Sequence, residues 1–220
     1  KVIEMDSLIF PNQPELAEPM ARYMKDHFPF CGVKKPQRAL LERPFLKESL
    51  VLPMPELIQE IFRNYRKEER EYQYYAIDLA QKNIKRFSLE DLATLLPLLG
   101  EKTWWDSIDA WRKVFSTWVL AHPTEIEQVY GFFYQHENFW YRRVAINLQL
   151  MFKEQTDTAL LAQAIVADLT TDEFFIQKAI GWSLRDYSKV NPDWVIAFMQ
   201  QYSLSKLALR EGSKYIKMER

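Results

Sequence analysis

Glycine is scarce in this sequence, which has only 5 glycines in 220 residues. Two-residue hairpins and phosphate-cradling loops depend on glycine at backbone positions with positive φ. With so few glycines, the sequence can form few such hairpins or loops. Apolar and polar residues also hardly ever alternate as they do in a strand. The sequence therefore predicts an all-α fold.

Cysteine and histidine are also rare, with 1 cysteine and 3 histidines. Cys31 cannot form an internal disulfide or a cysteine-based zinc cluster, which favours a reducing compartment, the cytoplasm. We expect Cys31 to be a packed hydrophobe, with a reactive thiol as the alternative. The histidines lack metal-ligand spacing, and the sequence contains no Gly-x-Ser-x-Gly elbow, His-Glu-x-x-His motif or glycine-rich phosphate loop. We predict neither a metal site nor a cofactor.

Long apolar runs are absent as well. No run approaches the about 18 residues that a transmembrane helix needs, and no secretory signal begins the chain. We therefore expect no membrane partner, and we expect a monomer. The net charge of −1 does not indicate nucleic-acid binding, but acidic residues elsewhere can balance a one-sided basic surface.

What is present is a repeat. Four similar segments begin at residues 70, 104, 139 and 174, and are therefore spaced by 34, 35 and 35 residues. A period of this length is typical of a solenoid built from helix pairs, whose concave side often forms the binding surface. We predict an α-solenoid of HEAT-like antiparallel helix pairs with a concave groove. It would form a single domain over residues 1–220, with N-terminal helices (1–69), repeats (70–203) and a C-terminal capping helix (204–220).

Local signals predict where helices begin and end. Ser88, Asp157 and Asn191 are typical N-caps, and Pro192 follows the last of them at the first helical position. We expect one helix from Pro14 to Phe28, broken by the Pro29 to Gly32 stretch. Further helices are expected over 34–49, 56–65 and 123–135, and from 204 to about 217.

The stretch from Trp104 to Trp111 combines aromatic and acidic residues. Trp105 and Asp109 are four residues apart, so they share one face of a helix. A helix face that carries a carboxylate would be costly to bury. We therefore interpret this face as the candidate functional surface. The alternative is an ordinary salt bridge from Asp109 to the next repeat. We assign four other indoles to packing: Trp104, Trp111, Trp118 and Trp194.

Basic and aromatic residues recur in the later repeats. The third repeat presents Arg142 and Arg143, and the fourth presents Lys178 and Trp182, again four residues apart. The arginines could equally form a solvated face. The same alternatives, contacts to a phosphate backbone or solvated surface, apply to Lys34, Lys35, Arg38, Lys206, Arg210 and Lys214.

At these residues the sequence resembles the AlkD-type DNA alkylation repair glycosylases from about residue 23 to about residue 210. The segments that carry the resemblance are Tyr23–Lys34, Arg70–Tyr74, Trp104–Asp109, Trp140–Ile146 and Phe174–Arg185. It implies a HEAT-like solenoid that binds duplex DNA in a basic concave groove and excises N3- and N7-alkylated purines.

The resemblance also implies roles for individual residues. Asp109 matches the catalytic acid, Trp105 the aromatic residue one turn before it, and Trp182 a second indole beside the lesion. Arg143 matches an arginine that contacts the DNA backbone, with Arg142 as the alternative register. The competing hypothesis is a non-catalytic HEAT-type scaffold that binds DNA or a protein partner.

Overall fold

The computed structural model describes residues 5–216, and within that range the chain forms α-helices and short 3-10 turns but no strand. The prediction of an all-α fold is confirmed. The helices are α1 (Pro14–Tyr23), α2 (Lys35–Glu48), α3 (Met54–Tyr65), α4 (Arg70–Lys82), α5 (Leu89–Thr94), α6 (Leu96–Leu99), α7 (Trp105–Ala121), α8 (Ile126–Gly131), α9 (Phe139–Asn147), α10 (Thr158–Ala167), α11 (Phe174–Ser188), α12 (Pro192–Gln201) and α13 (Lys206–Gly212).

The chain divides into two compact units, of which the first (unit 1) ends at Val114 and the second (unit 2) begins at Phe115. The boundary falls inside α7, which contributes its first turns to unit 1. The expected single repeat domain over residues 1–220 stays a prediction.

In unit 1, α4 packs against α2 and α3. Leu57, Ile61 and Tyr65 of α3 are four residues apart and wholly buried, so they form the inward face of that helix. The Tyr65 ring lies 5.6 Å, centroid to centroid, from the ring of the wholly buried Trp111. The predicted packing role of Trp111 is confirmed.

The buried carboxylate of Glu71 fixes the loop between α1 and α2. It accepts hydrogen bonds from the backbone N–H groups of Cys31, Gly32 and Val33 at 2.8, 2.9 and 2.9 Å. Gly32 has φ +97°, where a side chain would be strained, and a Cβ atom there would meet the Gln13 carbonyl oxygen. Cys31 is buried, and burial together with Glu71 raises the pKa of its thiol to about 12. Cys31 is thus a packed residue, as expected.

In unit 2, α11 packs against α9, α12 and α13. Trp118 is buried, and Trp194 packs between Tyr187 and Phe198, so their predicted packing roles are also confirmed. Glycine allows α11 and α13 to approach closely, because a Cβ atom at Gly181 would lie 2.6 Å from the Cβ atom of Glu211.

Hydrogen bonds one repeat apart recur within each unit. In unit 1, Tyr65 donates to the Glu101 carbonyl, 36 residues later. In unit 2, the Asn147 side chain donates to the Ser183 hydroxyl, also 36 residues later, and the backbone N–H of Met151 donates to Asp186, 35 residues later. The sequence period of 34–35 residues therefore corresponds to the spacing of helices that contact one another.

Several helix ends differ from the predictions. α1 ends at Tyr23 because Lys25 and Asp26 adopt positive φ angles of 58° and 56°, which no α-helix tolerates. The stretch after Pro123 forms a 3-10 turn and then α8, which ends at Gly131 rather than at residue 135. α13 ends at Gly212, and the expected end at residue 217 lies outside the described residues.

Candidate active site

Trp105 and Asp109 lie in the first two turns of α7, one helical turn apart, and both are half-buried. The helix begins directly at Trp105, and the Ser107 hydroxyl accepts a hydrogen bond from the backbone N–H of Trp104 at 3.3 Å. The positive end of the helix dipole lies here, so acidic groups are favoured in these turns. Trp105 and Asp109 therefore lie on successive turns of one helix in unit 1, while their roles stay a prediction.

A hydrophobic cluster of Met24, Phe28 and Phe30 supports Trp105 from below. Trp104 packs against the same cluster, and its ring lies 4.1 Å from the His27 ring, centroid to centroid. Both neighbouring indoles are therefore half-buried, rather than one in the core and one on the surface.

Tyr23 is a candidate residue that the sequence interpretation missed. Its ring makes an edge-to-face contact with Trp105, with the centroids 6.3 Å apart, and the residue is 72 % exposed. Helical spacing from Leu16 and Met20 places Tyr23 on the apolar face of the expected helix. Tyr23 is the last residue of α1, and apolar periodicity alone could not show that the helix ends there.

A buried ion pair anchors the first turn of α7. The Asp106 carboxylate accepts hydrogen bonds from Nε and Nη2 of Arg70 at 2.8 and 2.7 Å, and from the Tyr74 hydroxyl at 2.6 Å. Burial lowers the pKa of Arg70 and Asp106 raises it, with a net rise, so the guanidinium stays charged. Burial and the Asp106 charge raise the pKa of Tyr74, which keeps its phenol protonated as the donor.

Beside this anchor lies an apolar cavity of about 370 Å³ within unit 1. The lining side chains that carry polar groups are Tyr23, Lys34 and Tyr74. Its lining residues are Leu16, Pro19, Met20, Tyr23, Met24, Phe30, Lys34 and Tyr74.

In unit 2, the structure brings Arg143 and Trp182 together. The Arg143 guanidinium carbon lies 5.9 Å from the Trp182 ring centroid, and Nη1 donates to the Phe175 carbonyl at 2.6 Å. Arg143 is only 4 % exposed. The solvated-face alternative is therefore wrong for Arg143, because its side chain is packed among aromatic rings.

Arg142 is also held inside unit 2. Its Nε donates to both carboxylate oxygens of Asp168 at 3.1 and 3.3 Å, and its Nη1 donates to the carbonyls of His136 and Glu137. The solvated-face alternative is wrong here too, because this geometry joins α9 to the residues that follow α10.

Lys178 and Trp182 are one turn apart on α11, as predicted, and both are half-buried. Lys178 Nζ lies 3.1 Å from Oε1 of Glu211, while Arg185 Nη1 lies 3.2 Å from Oε2 of the same carboxylate. Glu211 in α13 therefore neutralises two cations of α11. The sequence interpretation missed this acid, whose ion pairs span 26 residues or more.

The remaining basic candidates differ in exposure. Lys34, Lys35, Lys206 and Arg210 are exposed. The solvated-surface alternative is wrong for Arg38. Its side chain is 11 % exposed, and Nη1 lies 2.6 Å from Glu42 and 2.7 Å from Asp78. Both carboxyl groups already bind its guanidinium, so we leave Arg38 out of the proposed DNA contacts.

Among residues 5–216, no group of three or more histidine, cysteine, aspartate or glutamate side chains could hold a metal ion. None of the helices in that part of the chain is both long and apolar enough to cross a membrane.

Comparison with known proteins identifies relatives along nearly the whole chain. A family model described as DNA alkylation repair enzyme matches residues 6–216. A solved structure described as a predicted DNA alkylation repair enzyme from Enterococcus faecalis is 55 % identical, with a TM-score of 0.94, and the match covers 96 % of this chain and 99 % of that one. No curated protein matches the chain.

Two more distant structures share the fold. AlkD2 from Streptococcus mutans is 19 % identical with a TM-score of 0.64, and the match covers 84 % of this chain and 99 % of that one. The smu.31 protein from Streptococcus mutans UA159 is 20 % identical with a TM-score of 0.63, and the match covers 82 % and 98 %. The resemblance found in the sequence is confirmed: the chain belongs to the DNA alkylation repair enzyme family.

Proposed function

We propose that the protein is a monofunctional DNA glycosylase that hydrolyses the N-glycosidic bond of N3- or N7-alkylated purines in duplex DNA. The observation that carries this proposal is the pairing of Asp109 with Trp105 on the anchored first turns of α7. Membership of a family of DNA alkylation repair enzymes supports the choice of substrate.

The proposed chemistry needs a carboxylate and no strong acid. Alkylation at N3 or N7 makes the purine cationic, so the base already leaves readily. Positive charge then develops on the deoxyribose as an oxocarbenium ion. Asp109 would stabilise this cation and orient the attacking water. The half-buried position of Asp109 strengthens such an interaction, because nearby protein replaces bulk water.

The Trp105 indole would add to the same stabilisation. The face of an aromatic ring attracts a cation, with a contribution of roughly 0.5–2 kcal/mol depending on desolvation. Trp105 is supported from below by the Met24, Phe28 and Phe30 cluster, so its ring is held in place. Trp182 is given the corresponding role in unit 2 by the resemblance.

The DNA backbone is the proposed partner of the basic residues. We assign a phosphate contact to Arg143 from the resemblance alone, and this contact requires its nearly buried side chain to turn towards the DNA. We also assign one to Lys178, which is half-buried. The exposed candidates are Lys34, Lys35, Lys206 and Arg210. Phosphate contacts fix the register of a protein on the duplex without reading its sequence. We further propose a cytoplasmic monomer that forms a single repeat domain and needs neither metal nor cofactor.

The test is base release from duplex DNA that carries 7-methylguanine or 3-methyladenine, in the presence of EDTA. The proposal predicts release of free methylated base and formation of abasic sites well above the spontaneous rate. Binding of the duplex without release above that rate would instead identify a non-catalytic scaffold.

A further inference from the structure

Asp106 lies between Trp105 and Asp109 in the first turn of α7 but is turned inward, with its side chain 7 % exposed. It accepts three short hydrogen bonds from α4, two from Arg70 and one from Tyr74. Arg70 and Tyr74 are one turn apart on α4, so both donors lie on the same helix face. One carboxylate thus connects α4 to the turn that bears the candidate catalytic pair.

The same guanidinium also fixes the chain that enters α7. Nη1 of Arg70 donates to the Lys102 carbonyl at 2.7 Å, and Lys102 has a positive φ of 50°. Arg70 is wholly buried, and its guanidinium carbon lies 3.8 Å from the ring centroid of Phe28. Phe28 belongs to the cluster beneath Trp105. The position of Arg70 is therefore tied both to the backbone before α7 and to the support of Trp105.

Stability alone does not account for a buried ion pair at this place. Removing two charges from water is costly, and well-packed apolar residues often stabilise a fold equally well. Directional bonds differ from apolar contacts because they fix the orientation of the groups that they join. The bidentate Arg70–Asp106 pair sets one plane, and the Tyr74 hydroxyl adds a third bond to Oδ2 of Asp106.

We propose that Arg70 and Tyr74 are positioning residues, which act through Asp106 to orient Trp105 and Asp109. This inference rests on the proposed glycosylase function and adds to it the residues that preorganise the site. A rigid supporting layer matters because a misplacement of about 1 Å can reduce a rate by about 100-fold.

Tyr74→Phe is the sharpest variant, because it removes one hydroxyl and keeps both the ring and the Arg70–Asp106 pair. Tyr72→Phe is the matched control: it lies on the same helix, and its hydroxyl accepts a single hydrogen bond from the backbone N–H of Phe10 at 3.2 Å. Both substitutions remove one hydrogen bond, but only the first removes a bond to α7.

The experiment has two parts, each carried out on the wild type and both variants. The first part measures the single-turnover rate of 7-methylguanine release at saturating enzyme and the Kd for the same duplex. We expect Tyr74→Phe to slow release by between about 10-fold and about 100-fold with an unchanged Kd, while Tyr72→Phe keeps the wild-type rate. Thermal unfolding establishes that each variant is folded.

The second part measures amide hydrogen exchange of Ile108, whose N–H donates to the Trp104 carbonyl at 3.1 Å, and of Asp109 next to it. Exchange of these two amides reports local opening of the turn, whereas the earlier N–H groups of α7 have no acceptor within the helix. Exchange should accelerate in Tyr74→Phe and not in Tyr72→Phe. A wild-type release rate or wild-type exchange in Tyr74→Phe would overturn the inference. If the wild type itself releases no base, the proposed function fails, and with it the catalytic part of this inference; unchanged exchange in Tyr74→Phe would then refute the anchoring of the turn as well.

Discussion

Lys178 in the second turn of α11 is joined to Glu211 of α13 by an ion pair with a separation of 3.1 Å between Nζ and Oε1. Arg185 reaches the other oxygen of the same carboxylate at 3.2 Å. The hydrogen bond from Lys178 lowers the pKa of Glu211 below its ordinary value, so the acid is charged at neutral pH. One acid therefore offsets two cations on the helix that carries Trp182.

Glu211→Gln should increase the affinity for duplex DNA. The substitution leaves Lys178 and Arg185 without their shared counter-charge, so a phosphate could replace it. We expect the slope of log K against log salt to steepen by about one unit. Titrations at several salt concentrations measure this slope.

The control for that titration is Glu154→Gln, which removes an equal charge from an exposed position. It should change the affinity only slightly. Equal slopes for Glu211→Gln and Glu154→Gln would contradict a local competition between Glu211 and phosphate.

Gly181→Ala should destabilise the protein by about 1–3 kcal/mol through overpacking. The added Cβ atom would lie 2.6 Å from the Cβ atom of Glu211 and 3.2 Å from the Ala208 carbonyl oxygen, so α13 would have to move. Urea unfolding measures the change in the free energy of unfolding.

Gly131→Ala serves as the matched substitution, since nothing lies within 4 Å of its added Cβ atom. It should be neutral or stabilising by up to about 1 kcal/mol, because alanine has the higher helix propensity. A similar loss of stability in both variants would mean that close packing of α11 and α13 is not the cause.

Ionisation of Glu42 should lower the free energy of unfolding as the pH rises. Burial raises its pKa, Arg38 lowers it and Asp78 raises it again, with a net rise to about 8. Because the pKa of Glu42 is higher in the folded state than in the unfolded state, its protonated form stabilises the fold. This contribution to the free energy of unfolding is fully present at pH values below the ordinary pKa of glutamate. It is lost as the pH rises through about 8.

Thermal unfolding of the wild type and Glu42→Gln between pH 5 and 9 tests this sign. The wild type should lose stability relative to Glu42→Gln as the pH rises, since glutamine cannot ionise. A difference that stays constant across this range, or that changes in the opposite direction, would refute the assignment.

Sequence patterns predicted the helical architecture well where the signals are local. Ser88, Asp157 and Asn191 each cap the helix that follows, with their side-chain oxygens accepting backbone N–H groups as predicted. These caps act within three residues, so a pattern in the sequence contains all that determines them. The predicted helix ends at Phe28 and residue 135 were wrong. The apolar pattern continues past Tyr23, but the positive φ angles of Lys25 and Asp26 end α1 there, and α8 ends at Gly131.

The candidate site was less predictable because its charges pair across long stretches of sequence. Arg142 and Asp168 are 26 residues apart, and Arg38 and Asp78 are 40 residues apart. A basic residue looks alike in the sequence whether it meets DNA, water or a carboxylate. The Arg70–Asp106 pair spans 36 residues, close to one repeat, so the period was the one signal that could have indicated it.

The measurement that tests the central claim most directly compares the wild type with Asp109→Asn in single-turnover release of 7-methylguanine, with Kd measured on the same duplex. Asp172→Asn, an exposed position, controls for the loss of one negative charge. The account predicts that Asp109→Asn loses at least about 100-fold in rate while its Kd stays close to that of the Asp172→Asn control. Release by Asp109→Asn at the wild-type rate would contradict the assignment of Asp109 as the catalytic carboxylate.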